Sequence, residues 1–115
     1  MSGPEKNFEN KIKDYLAKNN CYFVKYFANR MTKAGIPDIL ACVNGYFVAI
    51  EVKAENGHPS ELQKWNVEQI HGTFGFGVIV RPSDFNDLKM IVTALMCNDV
   101  PYARTIEHRI NAKFF

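Results

Sequence analysis

The stretch Pro37-Asp38-Ile39-Leu40-Ala41-Cys42-Val43-Asn44-Gly45-Tyr46-Phe47-Val48-Ala49-Ile50-Glu51-Val52-Lys53 decides the fold. Two apolar runs flank Asn44-Gly45, and Asn-Gly is the strongest short-range signal for a two-residue type I′ hairpin turn, because both residues tolerate positive φ. That turn fixes the register. Val43 pairs with Tyr46, and each pair further out has residue numbers summing to 89. Asp38 therefore stands opposite Glu51. Side chains alternate along a strand, so Lys53, two residues beyond Glu51, shares the face of both acids. Two carboxylates and an ammonium converge at the open end of the hairpin.

Directly opposed like charges, with Cβ atoms about 5 Å apart, destabilise a strand pair. Protonation of one acid, solvation of both, or a divalent cation between them relieves the repulsion. The register favours the cation. The plainer alternative is a solvated strand end in which the acids splay apart and Lys53 neutralises them.

At these residues the chain resembles a known family. Pro37-Asp38, followed after twelve intervening residues by Glu51-Val52-Lys53, is similar to the PD-(D/E)xK nuclease signature. Gly35-Ile36-Pro37-Asp38, Glu51-Val52-Lys53-Ala54 and the downstream Gln63 resemble its viral-type replication and repair branch, VRR-NUC. The resemblance runs from about Glu9 to Val80, and the residues keep the order and context that such a signature requires. It implies an α/β fold with a restriction-endonuclease-like α-β-β-β-α-β core, and divalent-metal-dependent hydrolysis of DNA phosphodiesters. Mg²⁺ or Mn²⁺ would be held by Asp38, Glu51 and the Val52 carbonyl, hard oxygen ligands suited to such ions. Lys53 would hold the nucleophile or stabilise the pentacovalent state. In such families a first-helix Glu commonly completes the metal site, which points to Glu9. Gln63 takes a place beside the active centre. Small stand-alone viral members look like junction resolvases, which implies an intracellular, phage-type enzyme acting on branched DNA as a homodimer.

A length of 115 residues supports one domain with one core. No apolar run approaches a membrane span, and Met1-Ser2-Gly3-Pro4-Glu5-Lys6 lacks a signal-peptide core. Cys21, Cys42 and Cys97 are odd in number and lack CxxC spacing, so they read as reduced, buried thiols of a cytoplasmic protein. A net charge of +2 is no nucleic-acid footprint by itself. Residues 1–33, however, carry seven Lys/Arg against three acids, a local +4. Arg30 and Lys33, in the loop just before the acids, are the candidates for phosphate contact.

The first segment reads as a helix from Pro4 to Lys18, with Phe8, Ile12, Tyr15 and Leu16 at helical spacing. Glu9 faces partly inward on it and needs a partner. Metal ligation, as the resemblance implies, and an ordinary ion pair with Lys13 are both open. Cys21 to Phe27 reads as a strand. Both faces of the hairpin are apolar, which implies helices on each side of the sheet. Ser60-Glu61-Leu62-Gln63 opens a helix running through Ile70 and fits a capping box. Gln63 thus has a capping role and an active-site role, weighed equally, while Leu62 and Trp65 read as core. A buried strand follows over Gly75 to Val80. Ser83 caps a helix with Phe85, Leu88, Val92 and Leu95 facing inward. Beyond Pro101, Ile106, Ile110 and Phe114 have helical spacing without stop signals. With Phe115 they offer apolar surface for a partner copy, or for folding back on the last helix. His58, His71 and His108 lack metal-ligand spacing, and no Gly-rich phosphate loop or nucleophile motif is present. Two rival functions remain: a catalytically silent nucleic-acid-binding module of the same fold, and a flap- or RNA-directed nuclease.

Overall fold

The computed structural model describes residues 3–28 and 31–115. Its elements are α1 (Gly3–Lys18), β1 (Tyr22–Lys25), β2 (Ile39–Val43), β3 (Tyr46–Val52), α2 (Glu61–Gly72), β4 (Phe76–Val80), a 3-10 turn (Pro82–Asp84), α3 (Phe85–Met96) and α4 (Val100–Asn111). The hairpin closes as its turn chemistry dictates. Asn44 and Gly45 have φ of 52° and 87°, and the ladder runs from Val43–Tyr46 to Ile39–Ile50. The Asn44 amide donates to the Leu95 carbonyl at 3.0 Å and the Tyr46 hydroxyl to Asn98 Oδ1 at 2.9 Å, fastening the turn to the α3–α4 connection.

The sheet runs β1-β2-β3-β4, antiparallel except for β4, which lies parallel to β3. This is the mixed sheet between helices that the sequence implies. On one face, Ile39, Ala41, Val48, Ile50 and Val78 pack against Ile12 and Leu16 of α1, Leu88 and Leu95 of α3, and Ile106 and Ile110 of α4. Truncating a fully buried member such as Ile50 to Ala costs about 2–5 kcal/mol. On the acid-bearing face α2 lies close over β3 and β4. A Cβ on Gly77 would stand 3.2 Å from Val67 Cγ1, and one on Gly75 would stand 2.9 Å from Ile70 Cγ2. Those two glycines admit the helix.

The expected cover on both faces is therefore complete on one side only. No helix lies over the β1–β2 half of the acid-bearing face among the described residues, and Tyr22, Val24, Cys42 and Phe47 are exposed there. Cys97 is exposed as well, so of the three free thiols only Cys21 is buried as expected. Leu62 and Trp65 are likewise half-exposed rather than core.

Three element boundaries also differ from expectation. The first strand is shorter, because the Cys21 amide donates back to Leu16 O at 3.0 Å and closes the end of α1. Ser83 lies in the 3-10 turn and caps nothing; its amide and hydroxyl both go to Glu55, at 3.0 and 2.7 Å. The segment beyond Val100 is a full helix. Its Ile106 and Ile110 are 1% exposed within this chain, so two of the apolar tail residues offered for a partner are already covered, while Phe114 is partly buried and Phe115 half-exposed. No helix is long and apolar enough to cross a membrane among the described residues.

The open edge of β4 is closed by α4. Glu107 Oε2 accepts from the Gly77 amide at 2.9 Å and Asn111 Oδ1 from the Ile79 amide at 3.1 Å, while the Asn111 amide donates to Gly77 O at 2.8 Å. An unpaired strand edge invites pairing with another chain, and side chains that occupy its N–H and C=O groups remove that template.

Candidate active site

Asp38 follows the buried Pro37 just outside the last ladder pair, at the mouth of the hairpin. Its Oδ2 accepts from the Val52 amide at 2.9 Å and its Oδ1 from Lys25 Nζ at 3.4 Å, which fixes the carboxylate in orientation. Glu51, on the last turn of β3's alternation toward α2, is 2% exposed. Its Oε2 lies 3.5 Å from Lys53 Nζ, whereas its Oε1 is buried with no hydrogen-bond partner. Burial first, and then the Asp38 charge, pushes the Glu51 carboxyl up to about 8, with Lys53 offsetting only part of the rise. The register argument is met. The two acids and Lys53 share one corner.

Glu9 is fully buried on α1 and takes three ammonium groups: Lys25 at 2.7 Å, Lys6 at 3.3 Å and Lys13 at 3.3 Å. Burial would raise its carboxyl, but the hydrogen bonds from Lys25 and Lys13 outweigh that and hold it below the ordinary range. Lys25 is the residue that sequence reasoning missed. Burial would lower its ammonium, yet Glu9 and Asp38 hold it above the ordinary lysine range. It thus links the α1 acid to the hairpin acid. The signal for it was present: a lysine at the end of β1, paired with Ile39, next to Asp38. Among the described residues no group of three His, Cys, Asp or Glu side chains gathers at metal-binding spacing, so Glu9 reaches the acid pair through Lys25 and not as a third member of it.

Gln63 closes the capping box: its amide donates to Ser60 Oγ at 3.1 Å and its Oε1 accepts from the Ser60 amide at 2.9 Å. Such a cap is worth about 1 kcal/mol. Lys33 is exposed, with Nζ 5.9 Å from the centre of the Trp65 ring. Arg30 lies outside the described residues. The segment after Lys53 is tied down by Glu55 on Ser83 and by Arg81, which donates twice to Gly57 O at 2.8 and 3.2 Å.

The donor set fits a divalent cation. A buried carboxyl oxygen without a partner, its pKa raised chiefly by burial and then by the second carboxylate beside it, is what a hard oxygen-seeking ion would satisfy.

Residues 3–81 match the model of the archaeal Holliday junction resolvase (Hjc) family. The chain belongs to that family. Hjc is a member of the PD-(D/E)xK nuclease-like superfamily, as read from Pro37-Asp38 and Glu51-Val52-Lys53. The Hjc segment contains Glu9, Lys25, Asp38, Glu51, Lys53 and Gln63 and ends at Arg81, so α3 and α4 lie beyond it. Among solved structures, the chain is similar to Hjc of Archaeoglobus fulgidus, described as a Holliday junction resolvase from an archaeal hyperthermophile. Identity is 24%, the TM-score is 0.47, and 66% of each chain is covered. The match thus spans about two thirds of that Hjc chain. No curated protein matches.

Proposed function

We propose that this chain is a divalent-metal-dependent, structure-selective DNA endonuclease that resolves four-way junctions as a homodimer. The observation that carries the reading is the buried, unpartnered oxygen of Glu51, set beside Asp38 and Lys53 within the Hjc-matched segment. A domain that only bound DNA would gain nothing from holding two acids in repulsion. The Gly35-Ile36-Pro37-Asp38 context supports a place near the VRR-NUC branch of the superfamily, and the three free cysteines support an intracellular site of action.

Asp38, Glu51 and the Val52 carbonyl would hold Mg²⁺ or Mn²⁺. When bound, such an ion lowers the pKa of an attacking water and neutralises charge developing on the phosphoryl oxygens. The chain's own groups do the rest. Val52 N–H and Lys25 keep Asp38 from rotating away. Lys53, tethered at Glu51, places a positive charge where the pentacovalent phosphate gathers negative charge. Lys33 and Arg30 supply cations for the phosphate backbone, and Gln63 keeps the N-terminus of α2 in place beside the centre.

The test is a panel of labelled four-way junction, flap, nicked, plain duplex and RNA substrates with Mg²⁺ or Mn²⁺, and Glu51→Gln as control. The expected outcome is paired cuts in the junction by wild type only. Ca²⁺, with longer and looser coordination, should permit binding with poor cleavage. Binding without cutting under every cation would make the chain a silent binding module. Cutting of flaps or RNA alone would reassign the substrate, and undiminished cutting in excess EDTA would end the metal reading.

A further inference from the structure

The loop that follows Lys53 is fastened to the rest of the chain, and one fastening involves the turn after α4. Gly57 closes the loop by donating its amide to Ala54 O at 2.9 Å. The loop then lies against the root of the lysine: a Cβ on Gly57 would stand 3.3 Å from Lys53 Cβ and 3.2 Å from Ala54 O. Lys53 itself donates its amide to Val80 O at 2.9 Å, one residue before Arg81. The Arg81 guanidinium turns back on the loop. It gives both Nε and Nη2 to Gly57 O, at 3.2 and 2.8 Å, and its Nη2 lies 3.5 Å from His58 Nδ1. Its other support is aromatic, for Arg81 Cζ stands 4.9 Å from the centre of the Phe114 ring. Phe114 is held by its amide on Asn111 O at 2.9 Å and by its neighbour Lys113, whose ammonium lies 3.0 Å from Asp84. Asp84 also accepts from the Arg81 amide at 2.8 Å, so residues 81–84 and 113–114 form one cluster.

We infer that Arg81, seated on Phe114, is a positioning residue for Lys53: it fixes the Gly57 side of the loop and so limits where the Lys53 ammonium points. Its consequence for rate rests on the nuclease reading. A lysine carries its charge on a flexible four-carbon stem, and a charge that must meet a developing phosphoryl charge needs that stem confined. Glu51 holds the far end loosely, at 3.5 Å. Gly57 walls the near end, and Arg81 holds Gly57. The rival role for an arginine beside this centre is contact with a phosphate. Here the planar fork is committed to a carbonyl and its face to a ring, and the residue is only partly exposed. A forked, stacked contact of this kind is one that lysine cannot reproduce. Phe114 lies outside the segment that matches the Hjc model, whose last residue is Arg81. The turn after α4 thus supports the centre from beyond the matched segment.

The test uses Arg81→Ala, Arg81→Lys and Phe114→Ala in the full chain, the last serving should the Arg81 variants not fold. Without DNA or metal, hydrogen exchange at the Gly57 amide should speed up at least about ten-fold in all three. NMR relaxation at Lys53 Cε should show a more mobile side chain. The Gly77 amide, bonded to Glu107, should keep its protection and so reports that each variant is folded. With Mn²⁺, the cleavage rate at saturating protein should fall about ten- to a hundred-fold, the scale of a misplaced group. Junction affinity in Ca²⁺ should stay within about two-fold of wild type, since the loss falls on the transition state. In a Lys53→Ala background Arg81→Ala should cost nothing further, because residues that act as one unit are not additive. Gly57 exchange and Lys53 relaxation equal to wild type would overturn the inference. So would an Arg81→Lys that cuts at the wild-type rate, or an Arg81→Ala that weakens junction binding and multiplies with Lys53→Ala; either would make Arg81 a phosphate contact. A loosened loop and lysine in a protein that cuts no substrate would uphold the brace and count against the nuclease reading alone.

Discussion

Two buried glutamates flank strand β4, Glu51 from β3 and Glu107 from α4, and their surroundings differ. Glu107, 1% exposed, has both oxygens engaged: Oε2 with the Gly77 amide at 2.9 Å, Oε1 with Arg104 at 3.0 Å and His71 at 3.0 Å. Arg104 goes on to Gly75 O and Phe74 O, each at 2.7 Å. Every group there has a partner, and the product is a sealed sheet edge. Glu51, 2% exposed, has one oxygen near Lys53 and one with no partner, and it faces a second carboxylate. A fully partnered buried carboxylate supports the fold, whereas a buried carboxyl oxygen without a partner calls for an explanation, which the proposed cation would supply.

Substitution should separate the two sites by readout. Asp38→Asn and Glu51→Gln should bring junction cleavage to background while the protein stays folded, measured with purified variants under Mn²⁺. Wild-type rates in both would move the active centre elsewhere. Lys53→Ala should lose roughly a hundred-fold in rate, the usual scale for a preorganised group acting on the transition state, while still binding the ion by calorimetry. Lost metal binding with retained cutting would reduce Lys53 to a support for Glu51. Glu107→Ala should behave in the opposite way. It should cost about 2–4 kcal/mol in denaturant unfolding, because Arg104 and the Gly77 amide lose a buried partner, with the rate per folded molecule unchanged. A stable, inactive Glu107→Ala would mean the two sites are coupled.

The first site was legible and the second was not, for a physical reason. Asn44-Gly45 specifies its turn locally, and a turn plus strand alternation carries Asp38, Glu51 and Lys53 to one corner by counting alone. The capping box at Ser60 and Gln63 is equally local. Lys25 was harder, because its link between Glu9 and Asp38 depends on how α1 docks across β1. Glu107 and Asn111 are four residues apart on a helix whose sequence carries no stop signal, and their partners lie 30 and 32 residues away on β4. Edge sealing of that kind is a tertiary event. The open half of the acid-bearing face escaped notice for the same reason: apolar strands on both faces read as covered on both, whereas α2 packs on β3 and β4.

The most direct test compares the stability of wild type, Glu51→Gln and Glu107→Gln against pH, with and without Mn²⁺. In metal-free protein the Glu51 carboxyl is held up to about 8, from an unfolded value of 4.5. Between those values the folded state binds a proton that the unfolded state does not, so stability falls as pH rises and levels off above 8. At 1.36 kcal/mol per unit the fall amounts to about 3–5 kcal/mol. Above pH 8, Mn²⁺ at a hundred times its dissociation constant should restore about 2.7 kcal/mol. The account predicts that Glu51→Gln loses both the slope and the Mn²⁺ response, while Glu107→Gln keeps both from a lower baseline. A wild type indifferent to Mn²⁺, or a Glu51→Gln that responds as wild type does, would contradict it.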